Sequence, residues 1–175
     1  MAVVVGGVTP NSSFSITPST GFVSGQQIPI GFPNSLSLQM ANGTTADKVD
    51  LIYATTLTFT ASTPQSIDLK SLTDPLGSAV NFVKIRLLEI RVNSTTDAAT
   101  LTLSPNASNG WTSFIASSSS LVLRGVTTTN PYALSLYAAA PNTTGWTVGA
   151  SNKVLDLTPS AHAFTVDIQI VGCSA

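Results

Sequence analysis

The sequence predicts an all-β protein, an antiparallel β-sandwich preceded by an extended N-terminal segment. Three observations predict it. Beyond residue 49, apolar residues alternate with Ser and Thr at a period of two, the spacing of a strand with one buried face. Pro, Gly, Asn and Ser interrupt that alternation at short intervals, the punctuation of a sandwich or jelly roll. No long stretch carries the 3.6-residue period of a helix.

Residues 1–45 form the first unit. They hold Pro10, Pro18, Pro29 and Pro33, six glycines between Gly6 and Gly43, and no charge before Asp47. Proline removes a ladder donor and glycine costs backbone entropy. The segment is therefore expected to be extended, with one short strand at residues 35–40. Phe14, Ile16, Phe22, Val23, Ile28, Ile30 and Phe32 are too apolar for a free tail. Two roles follow: wrapping the domain's own sheets, or an arm packed on a neighbouring subunit.

Residues 46–175 form the sandwich domain. In 51–60, Leu57 and Phe59 oppose Thr56, Thr58 and Thr60; Leu101 and Leu103 alternate with Thr100, Thr102 and Ser104. The last strand sets Phe164, Val166, Ile168 and Ile170 against Thr165, Asp167 and Gln169. Further strands are expected at 67–69, 121–123, 133–137, 145–148 and 153–157. Residues 71–76, with Asp74 before Pro75, are expected to turn, with room for one helical or 3₁₀ turn.

The strand at 82–92 poses a conflict. Strict alternation puts Lys84 and Arg86 on one face and Glu89 and Arg91 on the other, burying two charges at several kcal/mol each. A bulge at Leu87–Leu88 resolves it. Lys84, Arg86, Glu89 and Arg91 then share an outer face, while Val83, Ile85, Leu88 and Ile90 fill the core. That face is a candidate subunit interface, meeting carboxylates such as Asp47, Asp50 or Asp68 of a neighbour.

Composition argues against catalysis. Charged residues make up 9% of the chain, with one His, one Cys and one Glu, whereas acid–base and metal chemistry draw on those types. His162 lies in a turn, and no Gly-x-Ser-x-Gly elbow supplies a nucleophile. No calcium loop or phosphate cradle is present. No catalytic residue, cofactor or metal ligand is expected. The net charge of −1 gives no reason to expect nucleic acid or an acidic membrane as partner. Residues 1–8 lack the cationic start of a secretory signal and are too short to span a bilayer. Cys173, the single cysteine, is expected to be a free thiol. Trp111, Trp146, Tyr132 and Tyr137, with Tyr53, are candidates for an interface or for platforms that stack on sugar rings, and a lone Trp near a strand start, as at Trp111, more often serves a core edge or an interface anchor.

Residues from about 55 to 172 resemble small β proteins encoded among the virion structural genes of tailed bacteriophages and prophage-like elements. The likeness lies in Leu57-Thr-Phe-Thr, Ser66-Ile-Asp-Leu-Lys-Ser-Leu-Thr-Asp74, Asn81-Phe-Val-Lys-Ile-Arg, Val92-Asn-Ser-Thr-Thr96, Gly145-Trp-Thr-Val-Gly149 and Phe164-Thr-Val-Asp-Ile-Gln-Ile-Val-Gly172. It implies a single jelly-roll-like subunit of a virus particle, as a capsid or head-decoration component located in the virion. Its partners would be copies of itself and other virion proteins. The alternative expectation, from the aromatic residues, is a carbohydrate-binding or adhesin module with glycans as partners.

Overall fold

A computed structural model of the chain describes residues 13–16, 28–31, 41–46, 48–74, 77–94, 96, 98–124, 135–140 and 145–175. All regular structure among them is strand. In chain order these are β1 (Ser13–Ile16), β2 (Ile28–Gly31), β3 (Ala41–Asn42), β4 (Lys48–Val49), β5 (Leu51–Phe59), β6 (Gln65–Asp68), β7 (Leu72–Thr73) and β8 (Ala79–Val80). They continue with β9 (Lys84–Asn93), β10 (Thr100–Pro105), β11 (Leu121–Arg124), β12 (Ser135–Ala139), β13 (Trp146–Thr147), β14 (Val154–Pro159) and β15 (Phe164–Cys173). The strand expected at 35–40 lies outside the described residues.

Eight strands build two antiparallel sheets, β11-β10-β14-β6 and β12-β9-β15-β5, with β13 alongside β9 in the second. The pairing is nested along the chain. The first of the eight pairs with the last (β5 with β15), the second with the seventh (β6 with β14), the third with the sixth (β9 with β12) and the fourth with the fifth (β10 with β11). Within the remainder, β1 pairs with β2, β3 runs parallel to β4, and β7 pairs with β8.

Alternation explains which face each strand buries. Val166, Ile168 and Ile170 of β15 point inward with Ile85, Leu88, Ile90 and Val92 of β9, and meet Leu101, Leu103, Leu155, Leu157 and Ile67 of the other sheet. Phe59 and Phe164 stack at 5.7 Å where β5 and β15 begin their ladder. Each such side chain contributes about 1.5–3 kcal/mol on leaving water. The Thr residues at 56 and 58 stay exposed, as the alternation requires.

The bulge in β9 exists, but it sits at Arg86 rather than at Leu87–Leu88. Gly172 pairs with Ile85 while Val171 pairs with Leu87, so Arg86 is the extra residue. Its backbone carbonyl accepts from the Ala140 N–H at 2.7 Å, and its guanidinium donates from Nη2 to the Thr45 carbonyl at 3.2 Å. Arg86 is 0% exposed, so it does not contribute to an accessible charged patch as expected. The Thr45 carbonyl takes one of the guanidinium's five donors, which offsets part of the cost of burying its charge. Leu87 lies outside the main core and packs with Val49, Ile52 and Val171 in a second small cluster.

Residues 71–74 also differ from expectation. Leu72–Thr73 is strand, paired with Ala79–Val80. Asp74 organises the connecting loop: its N–H donates to the Ser78 carbonyl at 2.9 Å, and its carboxylate accepts from the Ser78 N–H at 2.7 Å. Gly77, at φ +84°, supplies the left-handed residue the loop needs. Among the described residues no helix is long and apolar enough to cross a membrane.

Candidate functional site

The outer face of the β9-β15-β5 sheet carries an organised polar surface. A shallow depression of about 460 Å³ is lined by Ala54, Thr55, Thr56, Glu89, Arg91, Asp167, Ile168 and Gln169. Register brings these together: Asp167 pairs with Thr56 on one side and Arg91 on the other, and Gln169 with Ala54 and Glu89. The Thr56 hydroxyl donates to Asp167 Oδ1 at 2.7 Å and Asn93 Nδ2 to Oδ2 at 2.8 Å. The Asn93 amide first, then the Thr56 hydroxyl, outweigh partial desolvation and, with the Arg91 charge, hold the Asp167 carboxyl below its ordinary value. Arg91 Nη2 donates to Glu89 Oε1 at 3.3 Å.

This geometry alters the expected patch of four charges. Glu89 and Arg91 share the outer face and pair with each other, Lys84 is half-buried, and Arg86 is fully buried. The carboxylates expected to meet the patch from a neighbour have partners in their own chain. Asp68 Oδ2 accepts from Lys153 Nζ at 2.7 Å, and Asp50 Oδ1 from the Ser174 N–H at 2.9 Å. Asp47 lies outside the described residues. Burial pushes the Asp68 carboxyl up, but the Lys153 ammonium, the Lys70 amide and the two lysine charges together hold it below its ordinary value.

Both carboxyls therefore titrate below 3.8, the ordinary value taken for an unfolded chain. Such groups stabilise fully above the unfolded pKa and lose that contribution as pH falls through the folded one. Stability is expected to be flat from neutral pH down to about pH 5 and to fall below about pH 4. Thermal melts across pH 2–7 check this, and the fall should shrink in the Asp68→Asn, Asp167→Asn double variant.

The aromatic candidates separate. Trp111 is 0% exposed, with Nε1 donating to the Thr147 carbonyl at 3.0 Å. Phe114 stacks on it at 5.4 Å and Trp146 meets it edge-on at 6.3 Å. It is a core residue, so neither a sugar nor a neighbouring subunit can reach its face. The cause is β13, which folds the 146–148 stretch across the loop that carries Trp111. Trp146 is half-buried against Phe114. Tyr132 lies outside the described residues. Tyr137 sits opposite Glu89 in the β12–β9 ladder, and its side chain is not among those described.

Sequence reasoning missed two anchors. Asn106 accepts the N–H of Ser108 at 3.0 Å and donates to Asp156 at 3.0 Å, and Asn152 ties Thr112 and Ser113 to β13. An Asn following a strand-end proline was the available signal for Asn106. Cys173 is buried, and its thiol donates to the Lys48 carbonyl at 3.2 Å. His162 lies in the β14–β15 turn. Asp156 and Asp167, the carboxylates a triad with it would draw on, bond instead to Ser66 and Asn106, and to Thr56 and Asn93. Among the described residues no three His, Cys, Asp or Glu side chains cluster.

No family model matches this chain. No curated protein is similar to it in sequence.

Proposed function

We propose that the chain is a non-enzymatic structural subunit of a phage or virus-like particle, a capsid or head-decoration component that works by self-assembly. The observation that carries this is the nested strand order. Pairing first with last, second with seventh, third with sixth and fourth with fifth supports a single jelly roll, an architecture used by viral capsid and lectin domains. Fold alone does not assign function. The resemblance of residues 55–172 to virion proteins adds to it, as does a surface of neutral hydroxyls with 9% charged residues in the whole chain, which resists association weakly. Residues 1–45 serve in this proposal as an arm between copies, and other virion proteins complete the list of partners.

Light scattering behind size exclusion, with negative-stain images of the same fraction, tests the proposal. Discrete oligomers or particles are expected, and a truncation lacking residues 1–45 should reduce them to smaller species. A stable 18.0 kDa species at every concentration would overturn it.

Glycan binding is the second reading, and one feature favours it. The depression around Asp167 presents a pre-oriented carboxylate, amide and guanidinium, groups that match sugar hydroxyls. With Trp111 buried, a glycan array is the appropriate screen rather than tryptophan fluorescence.

A further inference from the structure

We infer that the edge of β5 away from β15, which pairs with no strand among the described residues, is a self-association seam: two copies pair their β5 strands antiparallel about a two-fold axis, joining their two sheets into one. This rests on the self-assembly proposed above and assigns it to one edge.

β5 ends its sheet, and its ladder with β15 runs in unbroken register from Leu51 to Phe59. Its nine residues offer about 30 Å of backbone donors and acceptors. Edge strands are normally blunted by brevity, charge, proline or a bulge. The other sheet follows that rule: its edges, β6 and β11, are four residues each and carry Asp68 and Arg124. At the far edge of the β5 sheet, β12 has five residues and β13 two. β5 has no charge, no proline and no register shift. Among the described residues, the one bond reaching its backbone from outside the sheet is Gln65 Nε2 to the Thr58 carbonyl at 2.8 Å. β8 approaches β5 but pairs with β7.

The occupant that fits is a second copy. A two-fold axis opposes β5 to itself, and a strand without charge meets no like-charge conflict in doing so. On the outer face the seam sets Ala54, Thr56 and Thr58, all exposed, beside their counterparts. On the inner face Tyr53 and Leu57, only partly covered by their own chain, gain apolar neighbours and continue the core across the axis. A foreign strand would need side-chain pockets for its specificity, which alternating threonines do not supply.

The test is mass in solution for the full chain, wild type against Ala54→Lys. Ala54 is exposed, so the lysine adds charge at the seam without removing a buried contact. Ser117→Lys, in an exposed loop, is the control for added charge. Ala54→Lys should weaken association by at least about tenfold, because each dimer sets two like charges across one seam, while Ser117→Lys should leave it unchanged. Single cysteines at positions 52–58 provide a second measurement. Cys173 is buried, so a disulfide-linked dimer under mild oxidation should appear only at the position facing itself across the axis. If Ala54→Lys misfolds by circular dichroism, that scan decides. Assembly that survives Ala54→Lys with no cross-link at any position overturns the seam and leaves self-assembly standing. A monomeric wild type overturns both.

Discussion

Replacing Trp111, the largest fully buried side chain among the described residues, with alanine is expected to cost about 3–5 kcal/mol of stability. The indole is fully buried, packs against Phe114 and Trp146, and satisfies the Thr147 carbonyl. Removing it opens a cavity between the loop after β10 and β13. Trp111→Phe should lose less, about 1–3 kcal/mol, because a ring remains and Asn152 Nδ2 also donates to that carbonyl at 3.3 Å. Denaturant unfolding of both variants measures the difference. A loss below about 1 kcal/mol for the alanine variant would place Trp111 at the surface, where a sugar or neighbour could use it.

Gly172→Ala should also be strongly damaging, through crowding rather than a cavity. A Cβ at this position would fall against the Lys84 carbonyl oxygen and lie 2.8 Å from Phe82 Cδ1 and 3.1 Å from Ile85 Cα. Two of these are backbone atoms held in the bulge, and on either side Asp50 N–H donates to the Gly172 carbonyl and Val83 N–H to the Cys173 carbonyl. The strands cannot separate without breaking those bonds, so about 3 kcal/mol or more is expected, at the upper end of overpacking costs. Gly149→Ala serves as the contrast. Its Cβ would meet only Asn152 Cβ at 3.9 Å, and the change should stay within about 0.5 kcal/mol. Equal effects from the two substitutions would mean the bulge is soft.

The alternation of Leu, Val and Ile with Thr and Ser made β5, β10, β14 and β15 legible, because side-chain direction follows chain position alone. The bulge in β9 was legible as a necessity but not in position. Either placement leaves Leu88 and Ile90 inward and Glu89 and Arg91 outward; only residues 86 and 87 distinguish them. What decides is nonlocal: Gly172 lies opposite with no side chain to obstruct the bend, and the Thr45 carbonyl, 41 residues away, waits for the guanidinium. For Trp111 a core edge was among the expected places, and what decides it is nonlocal too. Its neighbours Pro105, Asn106, Ser108 and Gly110 are loop formers, and nothing local announces that residues 146–148 fold over it. The polar cluster around Asp167 was half legible. The outward face of β15 was plain, but its alignment with Thr56 and Asn93 depends on ladder register.

The nested pairing also dictates a timetable. β15 lies between β9 and β5, so the sheet they share stays open until residues 164–173 arrive. On a ribosome adding about 5–20 residues per second, β5 waits roughly 5–20 s for a partner about 100 residues downstream. Both of its edges are unpaired in that interval, and its uncharged sequence offers nothing to repel a similar strand on a neighbouring nascent chain. Yield should therefore depend on synthesis rate and crowding more than on the stability of the finished domain, since slower initiation on each message spaces the waiting strands apart.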